Sequence, residues 1–133
     1  VGDIYFPTTF VRYSDVQSGW PDEGNIDLDP CFVDPGYWAN LNDPNIVVEP
    51  NDPNAVWIDG DYHLKSEAGR WNPNSQSWVQ DDITSPCIDT GDPNSPIGDE
   101  PFPNGGIINM GAYGRTPEAS KSPAGLYLKN AKD

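Results

Sequence analysis

Basic residues are scarce. Seven Lys and Arg stand against 21 Asp and Glu in 133 residues, a formal net charge of −14. Such a chain repels a phosphate backbone or an anionic bilayer surface instead of neutralising it, which excludes nucleic acid and acidic lipid as partners. Long apolar runs are missing too. Nothing approaches the roughly 18 residues that a membrane-spanning helix needs, and no signal-peptide pattern is visible. The chain has one His, one Met and two Cys. Cys31 and Cys87 match no metal-ligand spacing such as C-x-x-C. A Ser/His/Asp arrangement lacks any nucleophile-elbow motif. Uninterrupted stretches are short, because fifteen Pro and thirteen Gly are scattered through the chain, leaving little room for long helices or long strands.

What is present is aromatic and acidic. Five Trp, six Tyr and four Phe can carry a modest core in a chain whose apolar fraction is only 35%, so a single folded domain is expected instead of disorder. Sixteen of the 21 acids are Asp. Asp forms turns where Glu forms helices, so the acidity belongs in turns joining short strands. Asp34-Pro35-Gly36, Asp43-Pro44-Asn45, Asp52-Pro53-Asn54 and Asn72-Pro73-Asn74 are turn signatures of this kind. The chain opens at Val1 and not at Met, which suggests a processed product or a piece of a longer protein.

Along the chain, the β-prone residues before Gln17, the alternating run from Asn25 into Cys31-Phe32-Val33, and Trp57 to Leu64 are expected strands. Alternation in the last of these puts Tyr62 and Leu64 inward and His63 and Lys65 outward, so His63 is expected at the surface and not as a general base. Residues 36–56 look like an insertion on one face. Trp78-Val79 is a short strand. Ser85 to Asn94 and Ile107 to Gly114 are expected to close the core as two apolar strands. The domain is thus 1–114. Residues 115–133 form a basic tail, with four bases and two acids, 4 − 2 = +2, against −16 for the rest. In that tail Leu126, Tyr127, Leu128 and Lys129 are apolar and basic enough to add a strand to an exposed sheet edge, on the chain's own body or on a neighbouring subunit.

Several residue groups are candidates for chemistry. Asp27 and Asp29 share one strand face, and Asp89, Asp92, Asn94, Asp99 and Glu100 crowd one loop. Such oxygen-rich clusters suit calcium, which takes six to eight oxygen ligands. The same side chains can instead close turns by accepting backbone N–H groups. No EF-hand register fits, since a loop starting at Asp89 has Asn94 where glycine is required. A disulfide between Cys31 and Cys87 would close a long loop and stabilise by roughly 4 kcal/mol on the chain-entropy model, the alternative being two free thiols. Trp38 and Trp71 lie beside Gly and Asn in expected loops and could stack on sugar rings.

The motifs Tyr13-Ser14-Asp15-Val16-Gln17, Asn25 to Pro35, Asp61-Tyr62-His63-Leu64, Ser85 to Pro93 and Asn109-Met110-Gly111-Ala112-Tyr113-Gly114 resemble the C-terminal region of secreted bacterial right-handed parallel β-helix repeat proteins. The resemblance covers about residues 11–114 and departs at Arg115, where glycine is more usual. It implies an all-β fold, a short right-handed parallel β-helix or solenoid with long Pro/Asp-rich loops and a C-terminal tail, located outside the cell or on its surface. A solenoid this short leaves an uncovered end coil. Covering it with another copy, head to tail, would give a filament or surface assembly. An extracellular, self-associating structural protein is therefore the expected function. A carbohydrate-binding or adhesion module, or the C-terminal part of a polysaccharide lyase or glycoside hydrolase, is the alternative, with a polysaccharide as partner.

Overall fold

In a computed structural model, residues 9–123 are described. Their named elements are seven short strands: β1 (Phe32–Asp34), β2 (Tyr37–Asn40), β3 (Asp43–Val47), β4 (Ala55–Ile58), β5 (Asp61–Leu64), β6 (Arg70–Asn72) and β7 (Ser77–Val79). The described residues are all-β with almost no helix, and the elements are short, as the Pro and Gly content leads one to expect. The strands form three small antiparallel sheets, β1-β5, β3-β2-β4 and β6-β7. Parallel pairing is confined, among the described residues, to an isolated bridge between Asp15 and Ile26.

The turns explain the composition. At six places an Asx-Pro-X tripeptide closes on itself, the side-chain oxygen of the first residue accepting the backbone N–H of the third. These are Asp29 to Cys31, Asp34 to Gly36, Asp43 to Asn45, Asp52 to Asn54, Asn72 to Asn74 and Asp92 to Asn94, at 2.8–3.0 Å. Proline supplies a fixed φ and lacks an N–H of its own, so the Asx side chain satisfies the next donor and the chain reverses. Much of the negative charge is there to make corners.

Residues 36–56, expected as an insertion on one face, are regular in structure. They build most of the three-stranded sheet, in which Trp38 pairs across the strands with Trp57 and Ala39 with Val56. Ala39 is fully buried beneath it. Trp71 pairs likewise with Trp78 in the β6-β7 hairpin. Trp38 and Trp71 therefore sit on strands, not in loops. Their rings pack edge-to-face on their partners, with centroids 5.2 and 5.5 Å apart, the favoured geometry for aromatic pairs.

The apolar core is small: Leu64, Cys87, Ile88 and Met110, with Ile26 and Phe32 packed against it. The segments bearing Cys87 and Met110 are turns and bends, not the expected strands. Asp89 has φ 63° and Gly111 φ 101°, so neither segment stays extended. They are nonetheless joined as neighbours by Met110 N to Cys87 O at 2.9 Å and Gly91 N to Ile108 O at 2.8 Å.

The start of the basic tail packs on the chain's own body. Ala119, Ser120 and Ser122 are buried. Lys121 N donates to Gly69 O and Ser66 Oγ to Lys121 O, and the Lys121 ammonium lies 4.3 Å from the centre of the Trp78 ring. Leu126, Tyr127, Leu128 and Lys129 fall outside the described residues.

Candidate functional site

A groove of about 1010 Å³ lies against the core on one side. Phe32 lines it half-buried, while Leu64, Cys87 and Met110 border it from beneath, each with less than a tenth of its surface exposed. Leu28 and Ile83 flank these residues with 57% and 47% of their surface exposed. Asp15, Asp27, Asp29 and Lys65 complete the lining, three carboxylates to one ammonium.

The Asp-Pro turn at Asp29 sets one wall. It leaves Cys31 at φ 55°, and its carboxylate holds the Cys31 N–H. Asp15 sets the other. Its Oδ1 accepts the N–H of Leu28 at 3.1 Å and its Oδ2 accepts the Cys87 thiol at 3.2 Å. Asp27 accepts the N–H of Ser18 at 3.2 Å. The rim carboxylates are thus fixed in place by backbone donors and by one thiol.

Cys31 and Cys87 both border the groove but are not joined; each is a free thiol. The expected disulfide is absent because both sulfurs are turned to oxygen acceptors, Cys87 to Asp15 and Cys31 to the Asp29 carbonyl at 3.5 Å. Burial, reinforced by the bond to Asp15, pushes the Cys87 thiol up to about 12. Burial and the Asp29 charge raise Cys31 as well. Thiols held neutral are poor nucleophiles.

The imidazole is not at the surface. His63 is 2% exposed, with Nδ1 2.5 Å from Asp61 Oδ1 and Nε2 3.0 Å from Glu118 Oε1. Its ring stacks on Tyr113 at 3.7 Å and 12°. Asp61 also accepts the backbone N–H of His63. The pairing of β1 with β5 is irregular here, Phe32 facing Leu64 and Asp34 facing Asp61, so that β5 holds one extra residue and His63 and Leu64 are both inside, where strand alternation puts only one of two neighbours. The cluster ties β5 to the segment carrying Glu118, with both ring nitrogens occupied. The one local trace of it in the sequence is Asp61 two residues before His63, close enough for its carboxylate to accept the His63 N–H.

The seven expected cation ligands do not form one centre. Among the described residues no group of three or more His, Cys, Asp or Glu is placed to hold a metal ion. Asp27 and Asp29 are on the groove rim. Asp92 and Asn94 form an Asx turn beside a second, more polar cleft of about 530 Å³, which Arg12 and Arg115 also line. Asp99 is exposed, and its N–H donates to Arg115 O. Asp89 and Glu100 are linked through Asn109, Asp89 by its backbone N–H and Glu100 by its carboxylate. Asp89 N donates to Asn109 Oδ1, and Asn109 N donates to Glu100 Oε2 at 2.7 Å.

No helix among the described residues is long and apolar enough to cross a membrane. No curated protein and no solved structure matches the chain. Residues 34–91, from the end of β1 through the three-stranded sheet and the β6-β7 hairpin to Gly91, match the family described as disaggregatase related, a different family from the solenoid proteins that the sequence resembles and not in conflict with them.

Proposed function

We propose that this is an extracellular structural protein whose copies associate end to end, the groove of one receiving the C-terminal segment Leu126-Tyr127-Leu128-Lys129 of the next. The observation that carries this reading is the exposed apolar pair at the groove over the core. Leu28 and Ile83 stand exposed beside Phe32, Leu64, Cys87 and Met110. A contiguous apolar surface at the end of a small core favours being covered. Charge selects the cover. The rim is acidic and the body as a whole is strongly anionic, while residues 115–133 carry a net charge of +2, with an apolar run beside Lys129.

A short β-solenoid is the architecture this reading uses. It is supported by backbone bonds that stack distant segments: Lys65 N to Cys31 O, Ser85 N to Lys65 O and Met110 N to Cys87 O. The segments so joined are 34, 20 and 23 residues apart (65 − 31, 85 − 65, 110 − 87), the spacing of coils. The contact is heterologous, so it propagates unless it closes into a ring.

Sedimentation of the full chain over a concentration series tests the proposal. The mass should grow with concentration and stay monomeric in two variants, Leu28→Lys/Ile83→Lys and Leu126→Ser/Leu128→Ser. Mixed together, these two should give a complex that stops at two chains, because each retains one working end. A wild-type chain that stays monomeric at the highest concentration, or a tail variant that associates like wild type, overturns it.

A further inference from the structure

Glu100 is 7% exposed. Its Oε2 accepts two backbone donors, Asn109 N at 2.7 Å and Arg115 N at 3.1 Å. Its Oε1 is buried and has no hydrogen-bond partner among the described residues. An ionisable oxygen in that position costs free energy unless something compensates it. A second carboxylate makes the cost larger. The Asp89 backbone N–H donates to the Oδ1 of Asn109, whose own backbone N–H donates to Glu100, and the loop that begins at Glu100 returns to the Asp89 carboxylate, where Gly105 N donates to Oδ1 at 3.1 Å and Ser122 Oγ to Oδ2. A Cβ on Gly105 would lie 2.4 Å from Asp89 Oδ2, so the loop is drawn tightly over that carboxylate. The ion pairs among the described residues are those of His63 and Arg70; neither Glu100 nor Asp89 has a cationic side chain against it. Burial pushes the Glu100 carboxyl up, against the two backbone bonds that hold it down, and the Asp89 charge adds to the rise.

Two acidic side chains on segments tied together through Asn109 and the 100–106 loop, both held by neutral donors and one with a spare buried oxygen, describe half of a coordination shell. We propose that Glu100 Oε1 and the Asp89 carboxylate bind one hard divalent cation of the calcium class. Such ions take oxygen ligands only and tolerate irregular geometry, with water completing the shell. Magnesium, which demands a near-ideal octahedron, suits this loop less well. The bound ion would pin the 100–106 loop and, through Ser122, the C-terminal segment to the turn at Asp89. The site is separate from the groove, and its occupancy can be read on the monomer.

Calcium chloride titrated calorimetrically into the full chain, after removal of divalent ions by chelator, tests this. Thermal unfolding with and without calcium is the second readout. Wild type should bind one ion per chain and unfold at a higher temperature in calcium. Glu100→Gln should lose calcium affinity by roughly tenfold or more. In chelator it should unfold no lower than wild type, because the uncompensated charge has gone. Asp89→Asn should likewise lose the calcium response, and Asp92→Asn should keep it. No heat and no shift in wild type at millimolar calcium overturns the proposal. So does a Glu100→Gln chain that binds as wild type, or loss of the response in Asp92→Asn alone.

Discussion

Replacing His63 by Ala should unfold this protein far more easily than any reading of His63 as a surface residue allows. The ring makes three contacts that the truncation removes. The bond to Asp61 Oδ1 at 2.5 Å is to a partly buried carboxylate, and a hydrogen bond to a charged group contributes about 1.5–3 kcal/mol. The bond to Glu118 Oε1 is to a side chain 44% exposed, so solvent screening reduces it to about 0.5 kcal/mol. The stack on Tyr113 adds about 1 kcal/mol. The ring is 2% exposed, and a space left in its place adds a further cost. Together these give about 3–5 kcal/mol, a large part of the total stability of a domain this size.

Urea unfolding followed by tryptophan fluorescence reads the effect. With a slope of about 1.5 kcal/mol/M, a loss of 3 kcal/mol moves the midpoint down by about 2 M at unchanged slope. Glu118→Gln should cost about 0.5 kcal/mol or less, by the same screening argument. An exposed residue away from any special feature changes stability by about 0.5 kcal/mol at most. A His63→Ala midpoint within about 0.3 M of wild type would therefore refute the packing argument and restore His63 to the surface.

Two further outcomes follow from the same structure. The Cys87 thiol, pushed up to about 12, should resist iodoacetamide in the native protein at pH 8 and react once the chain is unfolded in urea; alkylation at the rate of a free thiol would refute the burial. As pH rises above the ordinary thiol range, the unfolded chain ionises at Cys87 while the native chain does not, so stability present below about pH 8.5 is lost toward pH 12, and Cys87→Ala should flatten that part of the pH profile. At Gly60, an added Cβ would lie 2.0 Å from Asp34 O and 2.5 Å from Gly36 N, both backbone atoms. Gly60→Ala must therefore spread β1 from β5 and should cost more than about 2 kcal/mol; a cost below about 1 kcal/mol would show that the register is looser than described.

The turn chemistry was legible because it is local. An Asp or Asn before Pro carries its own instruction, and all six such tripeptides close as the residues require. Trp78-Val79 is a strand for an equally local reason, with Trp71 seven residues away across a tight Asn72-Pro73-Asn74 turn. Trp38 was misread because Gly36 and Asn40 on either side look like loop, while its partner Trp57 lies 19 residues downstream. The same distance effect hides His63. Alternation along β5 is a good local rule, but Glu118, 55 residues away, and Tyr113 hold the ring inside. Cys31 and Cys87 show the converse. Pairing arithmetic brought them to the same groove, but acceptors at Asp15 and Asp29 that no count of cysteines reveals hold each thiol free.

Charge and apolar surface act together in the proposed assembly, and their division of labour follows from where each sits. The apolar floor of the groove can be covered by any segment of suitable shape, so burial supplies affinity without choosing a partner. The choice comes from electrostatics. Two bodies of net −16 repel at every orientation except the one that brings the +2 segment of one onto the acidic rim of the other. Rim carboxylates fixed by backbone donors cannot turn away, so Asp15, Asp27 and Asp29 present a constant field to whatever approaches. Added salt then has two opposed effects: it weakens rim-to-tail attraction and relieves body-to-body repulsion. Because the repulsion involves many more charges than the contact does, the balance favours stronger association with moderate salt, driven by the burial of Leu28 and Ile83. A chain held together mainly by ion pairs would respond the opposite way, which makes the sign of the salt dependence a direct readout of whether the exposed apolar pair or the charged rim provides the binding energy.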